Sequence, residues 1–373
     1  MITLDSKQTL MTYLKPLYDW YGRFERPISS LSLVLGFVFD AVTLQRVDTL
    51  WENLWIFGHL LIVAVFIVLI HARENTTGDE ADPSKAQFWY VNILQFFFGG
   101  ILSTYLVFYF RSADIFVTWP FLAILAIAFL ANESMKRHYV RFSFQISLFF
   151  LSVYSFAIFL LPVVLHRIGS IVFIASGLVS LIFILLFISV LFRFVKQKFL
   201  KERASVISVI LIIFVVVNVL YFFRLIPPIP LSLKDGGVYH SILRSAQGDY
   251  DVIYEDHGWR DYVTMYPVYT EVGLEPVYAY SAVFSPTKLD LIIVHEWQRY
   301  DEAGKIWLTD NVVRLPVVGG RGNGFRTYSF DTNLESGKWR VNIETEDGHI
   351  IGRLRFTIVK DLTNPPLTQE KKH

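Results

Sequence analysis

The decapeptide IIVHEWQRYD, residues 292–301, sets a histidine, a glutamate and a tryptophan in succession inside an apolar run. A His-Glu step opens the helical zinc motif H-E-x-x-H, in which two histidines one turn apart hold the metal and the glutamate acts as base. Position 299, where the second histidine would stand, is arginine. On a strand, His295 and Trp297 share a face with Leu291 and Ile293, while Glu296 points the other way with Ile292 and Val294. Such a pair cannot converge on one ion. His240, His257 and His349 follow no ligand spacing either. The expected role of His295 is structural, hydrogen-bonded beside Trp297 in or near a core, because buried polar groups are normally satisfied. A ligand or catalytic contact at His295 and Trp297 is the competing reading.

Two further stretches have residue types that could bind. VVGGRGNGF, residues 317–325, gathers Gly319, Gly320, Gly322 and Gly324 around Arg321, and glycines let backbone N–H groups turn toward an anion. A nucleotide loop runs from strand into helix, whereas this one joins two predicted strands, so a wide hairpin needing positive φ is the plainer reading. Arg321, together with Arg326 just beyond it, is kept as a candidate contact for an anionic polymer or a lipid headgroup. Tyr250, Tyr254, Trp259, Tyr262, Tyr266, Tyr269, Tyr278 and Tyr280 supply rings that could form a binding platform, with Trp259 the candidate anchor. Packing and interface anchoring would use the same rings.

These residues lie in the last third of a chain of two compositions. Of its 373 residues 53% are hydrophobic and only 18% charged, with a mean hydropathy of +0.43. A soluble globule carries roughly a quarter charged residues, so part of the chain must face lipid. The net charge of +1 gives no basic field for nucleic acid. There is no cysteine, which excludes disulfides, zinc-thiolate sites, iron–sulfur ligation and thiol nucleophiles. No cofactor or metal is expected.

Apolar runs near 28–44, 52–71, 88–110, 114–132, 142–162, 168–192 and 203–223 predict about seven transmembrane helices in a domain over 27–225. Ahead of them, residues 1–26 carry Leu10, Tyr13, Leu14, Leu17, Tyr18, Tyr21 and Phe24 at three- and four-residue steps, the stripe of a helix that either lies in the membrane interface on the cytoplasmic side or packs under the bundle. Loops on one side hold Lys7, Lys15, Arg23, Arg26, Arg73, Lys85, Lys136, Arg137, Arg141, Arg193, Lys196, Lys198, Lys201 and Arg203; the other side has Arg46, Arg111, Arg167 and Arg224. The positive-inside rule then puts the N-terminus in the cytoplasm and everything after Arg224 outside, in the periplasm of a Gram-negative cell. Ionisable groups within spans mark pathways by default. Asp40 and His59 are the candidates, at similar depth in the outer half, and could pair.

After Arg224 the pattern becomes period two. In GKWRVNIETEDGHIIGRLRFTIV, Trp339, Val341 and Ile343 alternate with Arg340, Asn342 and Glu344, and Leu354, Phe356 and Ile358 with Arg353, Arg355 and Thr357. Asp347-Gly348 between them suits a tight hairpin turn. Further strands are read at 276–285, 290–300, 305–317 and 325–331, which predicts an all-β immunoglobulin-like sandwich over 226–362. Residues 233–275 give no clear period, and 363–373 read as a flexible tail.

The motifs HEW at 295–297, GGRGNGFRTYS at 319–329, GKWRV at 337–341 and GRLRFTIV at 352–359, with the junction IPPIPLSLKDGGVYH, resemble an uncharacterised bacterial family with a multi-span N-terminal domain and a C-terminal domain of unknown function. The resemblance implies fold and placement in the bacterial inner membrane, and no activity. The functional expectation is a recognition or assembly module presented outside the cytoplasm to an envelope glycan, a lipid or a membrane partner, with homo-oligomerisation open. A channel or transporter with the sandwich as lid or collar is the second expectation. An enzyme on envelope substrates, needing Asp, Glu and His side chains to meet at the outer face of the bilayer, for instance Asp114 or Glu52 with His257, is the third.

Overall fold

Charged residues do not end a helix unless the backbone has a reason to stop, and the longest helix follows from that. The computed structural model describes residues 31, 34–44, 49–77, 85–112, 114–134, 141–246, 248–255, 264–273, 275–285, 291–317, 324–361 and 365–372. Its helices are α1 (Val34–Thr43), α2 (Leu50–Thr77), α3 (Lys85–Arg111), α4 (Ile115–Ser134), α5 (Phe142–Leu165) and α6 (Ser170–Phe222). Among the described residues five are long and apolar enough to cross a membrane, where the sequence predicts seven spans. The predicted spans 168–192 and 203–223 are the two arms of α6. Its only break is at Val195 (φ −135°, ψ 40°), because RFVKQKFLKER contains no glycine or proline and consists largely of good helix formers. The chain reverses there, so that the rings of Phe173 and Tyr221 stack 3.7 Å apart. Of the first predicted span, 28–44, the described residues include the helical stretch α1, and several of its other positions lie outside the described residues. The interfacial stripe of residues 1–26 lies outside the described residues.

α5 is the hub. Phe149, Phe150, Tyr154 and Phe159 are fully buried along it, and α3 locks to it through Tyr105 and Tyr109, whose hydroxyls donate to the carbonyls of Ser152 (2.7 Å) and Ser155 (3.1 Å). α3 and α4 clasp reciprocally: Gln95 Nε2 donates to the Asn132 carbonyl and Asn132 Nδ2 to that of Gln95. The rims of α2, α4 and α6 expose Leu54, Val65, Ile127, Leu130, Leu185, Leu186 and Ile212.

The C-terminal region is β-rich. Eleven strands are described: β1 (Ser232–Tyr239), β2 (Ser241–Arg244), β3 (Tyr250–Glu255), β4 (Val268–Val272), β5 (Val277–Phe284), β6 (Leu291–Asp301), β7 (Ile306–Val317), β8 (Phe325–Asp331), β9 (Gly337–Thr345), β10 (Ile350–Asp361) and β11 (Leu367–Lys372). They form sheets of order β1-β5-β8, β4-β10-β9-β6-β7 and β11-β3-β2. The first two pack face to face on one apolar core that includes Val277, Ala279, Ile293, Trp297, Trp339, Val341 and Phe356. Truncating a buried tryptophan of this kind costs ~3–5 kcal/mol. The third sheet adds a layer over β5, built on Tyr239, Tyr250 and Tyr280. The aperiodic stretch 233–275 supplies most of β1 and all of β2, β3 and β4; β4 runs parallel to β10.

Residues 367–372, expected as loose tail, form β11 against β3. An edge strand offers unpaired backbone groups, and Lys371–Asp249 (3.5 Å) and Lys372–Asp235 (3.1 Å) fix the addition. The helical and β regions meet at the ends of α4, α5 and α6.

Candidate functional site

His295 lies on the inner face of β6. Its Nε2 is 2.8 Å from Ser281 Oγ of β5, its Nδ1 2.9 Å from Ser329 Oγ of β8, and Trp297 Nε1 donates to the same Ser329 Oγ (3.0 Å). The ring thus bridges the two facing sheets with no solvent exposure. Burial pushes its pKa down to about 4, so it is neutral at physiological pH. The serines resemble nucleophile partners in type only, since Ser281 is also fully enclosed and these bonds include no carboxylate.

Glu296 points to the opposite face, where the polar residues converge. Thr309 Oγ1 donates to Glu296 Oε1 (2.7 Å) and Asn342 Nδ2 to Glu296 Oε2 (3.0 Å). Asn342 Oδ1 accepts from Arg353 Nε (2.6 Å), and Gln298 Oε1 from Arg340 Nε (2.7 Å). Arg340 also lies over the Trp307 ring, 4.2 Å from its centroid, and Tyr266 stacks on that ring from further out. The register explains the gathering: the Asp347-Gly348 turn pairs Arg353 with Asn342 and Arg355 with Arg340.

The electrostatics of this face are strained. Burial, and then the neighbouring Arg353, pull Arg340 down to about 10. Arg353 is also lowered, chiefly by burial, with Asp114 opposing the shift and Arg355 adding to it. Burial, then Glu296, raises Glu344 to about 7. Perturbed groups clustered on one surface are a physical marker of a functional site.

The face is joined to the helices. Arg355 Nη2 is 3.7 Å from Asp114 Oδ2, and its guanidinium lies 4.8 Å from the Phe116 ring centroid. Asp114 in turn accepts from the Phe116 N–H (3.0 Å) at the start of α4. Nearby, the β9–β10 turn sits in a cleft between α5, both ends of α6 and the linker. Asp347 Oδ2 accepts from the Ser170 N–H (3.1 Å), capping α6 from another domain. His349 Nε2 is 3.2 Å from the Tyr221 carbonyl oxygen.

The remaining sequence candidates separate. Arg326 is mostly enclosed; its Nη1 donates to the Lys372 carbonyl (2.8 Å) and pairs with Asp249 (3.5 Å), so it helps hold β11. Arg321, Trp259 and His257 lie outside the described residues. Among the tyrosines, Tyr239 and Tyr250 pack edge-on against Tyr280 between sheets. Asp40 and His59 come within electrostatic reach of each other; His59 Nδ1 is 2.8 Å from the Trp55 carbonyl oxygen, and its ring contacts Trp55 and Phe97. Asp114 is paired with Arg355, and Glu52 accepts from Thr49 (2.6 Å).

Sequence reasoning put Arg340, Asn342, Glu344, Arg353 and Arg355 on wet faces without singling them out as a group. The signal was available: two alternating strands around an Asp-Gly turn fix which wet residues stand opposite each other. At the other end of the bundle, His71 Nε2 meets Gln145 Oε1 (3.1 Å) and Lys198 Nζ lies 3.1 Å from His71 Nδ1. No spacing in the sequence brings those three together.

Residues 292–358 match a family model described as Protein of unknown function (DUF2914). A domain of that kind is therefore present, and it spans β6 to β10 with the whole polar face. No curated protein matches the chain. Among solved structures, the alkylpurine DNA glycosylase AlkC of Pseudomonas fluorescens, bound to DNA containing an abasic site analogue, aligns over 84% of this chain and 99% of its own. The identity is 8% and the TM-score 0.22, an overlap too loose to carry an argument.

Proposed function

We propose that the chain is a multi-pass protein of the bacterial inner membrane that presents an extracytoplasmic β-sandwich as a recognition or assembly module for an envelope component or a membrane partner. The apolar rims of α2, α4 and α6 support insertion, since such surfaces left in water would drive aggregation. The orientation is supported by charge: the module contacts the helix ends around Asp114, Ser170 and Tyr221, while Arg193, Lys196, Lys198 and Lys201 flank the bend of α6 at the far end. Strand order supports the immunoglobulin-like reading. β1-β5-β8 facing β10-β9-β6-β7 follows a Greek-key order, with β4 added in parallel at the β10 edge and β2, β3 and β11 as a further sheet.

The observation that carries the functional reading is the outer face of the five-stranded sheet, a connected polar surface of arginines, amides and carboxylates held against the start of α4. The test uses the full-length protein in nanodiscs, challenged with envelope phospholipids, lipid-linked glycans and solubilised membrane proteins. Retention of one class by the native protein, and its loss when Arg340 and Glu296 are replaced, is the expected result. A protein that retains nothing but moves a solute across vesicles would overturn it.

That outcome would favour the second reading, a channel or transporter with the module as lid or collar. It draws on Asp40 and His59 lying within mutual reach between α1 and α2. Their replacement should then abolish flux.

A further inference from the structure

Antiparallel strands place directly opposite side chains within touching distance, and like charges in that position repel. Arg340 and Arg355 occupy such a position across β9 and β10, with Arg353 on the same face one pleat away. Each guanidinium carries five N–H donors in a planar fork. Among the described residues, Arg340 and Arg353 each give Nε to a neutral amide oxygen, and Arg355 meets Asp114 only at 3.7 Å. Of the carboxylates at hand, Glu296 is hydrogen-bonded to Thr309 and Asn342, and among the described residues none forms an ion pair with Arg340 or Arg353. Three partly buried cations therefore share a face on which, among the described residues, no guanidinium fork is met by a carboxylate closer than 3.7 Å.

Their position names the kind of anion that would fit them. Arg355 lies over Phe116, and the first turns of α4 expose Ile115, Phe116 and Trp119. An apolar ridge thus begins immediately beside the arginine face. A molecule with an anionic head and apolar tails matches both parts, since arginine forks recognise phosphate oxygens bidentately and the ridge suits acyl chains.

We propose that Arg340, Arg353 and Arg355 form a binding site for the phosphate of an anionic phospholipid whose chains lie along α4. The proposal deepens the recognition reading and rests on the module facing the bilayer.

The test is native mass spectrometry and lipid titration of the full-length protein, with phosphatidylglycerol, phosphatidylcholine and inorganic phosphate as separate probes. The native protein is expected to retain phosphatidylglycerol through delipidation and to prefer it to phosphatidylcholine. Arg340→Gln and Arg355→Gln should each weaken that binding about tenfold. Arg340→Lys and Arg355→Lys keep the charge but lose the fork, and should still weaken it several-fold while melting at the native temperature; they keep the test valid should the glutamine variants misfold. Equal affinity for both lipids, or full binding by the lysine and glutamine variants, would overturn the proposal. Inorganic phosphate competing at micromolar concentration would also overturn it, by assigning the site to a soluble anion. If a membrane-protein partner were retained by the native chain while phosphatidylglycerol was not, the lipid site would fail and the recognition reading would stand.

Discussion

Asp347, in the turn between β9 and β10, accepts a hydrogen bond from the backbone N–H of Ser170, the first residue of α6. A single carboxylate therefore ties a turn of the β-rich region to the start of a helix. The partial positive charge of a helix start favours an anion there, and removing a capping carboxylate costs ~1 kcal/mol. Asp347→Ala is expected to lower the melting temperature by a few degrees and to speed proteolysis in the Pro227–Pro230 linker. Unchanged cleavage there would mean that the cap does not hold the domains together.

The hairpin of α6 depends on Gly177. A β-carbon at that position would stand 2.8 Å from the Tyr154 hydroxyl and 2.9 Å from the Phe214 ring. Overpacking of this kind costs ~1–3 kcal/mol. Gly177→Val should destabilise the helical region by that amount in detergent, measured by thermal unfolding, whereas the same change at the open Gly58 should be close to neutral.

His295 makes stability depend on acid. Its folded pKa, about 4, lies below the unfolded value of 6.5, so the unfolded chain binds the extra proton between those limits. The contribution is complete above about pH 6.5 and is lost as the pH falls toward 4, with ~3 kcal/mol at stake. His295→Asn should be less stable than the native protein at pH 7.5 and show a flatter decline between pH 6.5 and 4.5. Parallel curves would exclude a buried neutral imidazole.

Glu344 has the opposite sign. Its folded pKa is raised to about 7 from 4.5, so the folded state holds the proton more tightly, and stability falls as the pH rises from 4.5 through 7. Glu344→Gln removes that penalty. Above pH 7.5 the variant should gain ~1 kcal/mol, a figure reduced for partial exposure, and at pH 5 it should gain nothing. Chemical denaturation at the two values distinguishes these outcomes.

The absence of cysteine makes topology directly measurable. Lys338→Cys on β9 and Lys196→Cys at the bend of α6 introduce single thiols at exposed positions. In intact spheroplasts an impermeant maleimide should label the first and spare the second. The reverse pattern would invert the orientation and remove the functional reading with it.

Much of the β-rich region was legible because a half-buried strand advertises itself by alternation. Trp339, Val341 and Ile343 did so, and Asp347-Gly348 located the turn that sets their register. The partners of His295 were not legible, since Ser281 and Ser329 arrive from strands whose neighbours depend on the folded sheet order. Residues 233–275 hid β2 and β4 because β2 has only four residues and the buried face of β4 carries Tyr269 and Glu271 in place of aliphatic side chains. In the helical region, hydropathy falls at Arg193, Lys196 and Lys198 and so suggests a loop, although the backbone needs only Val195 to turn. The arginine face lay between these cases: each member's side of the strand could be read, but the contact with Asp114 and Phe116 required the two domains to be docked.

The anchoring of the β region at Asp114, Ser170 and Tyr221 also limits how far it can act. A domain on a loose tether sweeps a wide volume and can probe distant layers of the cell wall. One clamped at three helix ends cannot swivel or stretch, so under the proposed membrane placement anything it engages would have to approach within its own height of the bilayer, travelling in or along the membrane plane.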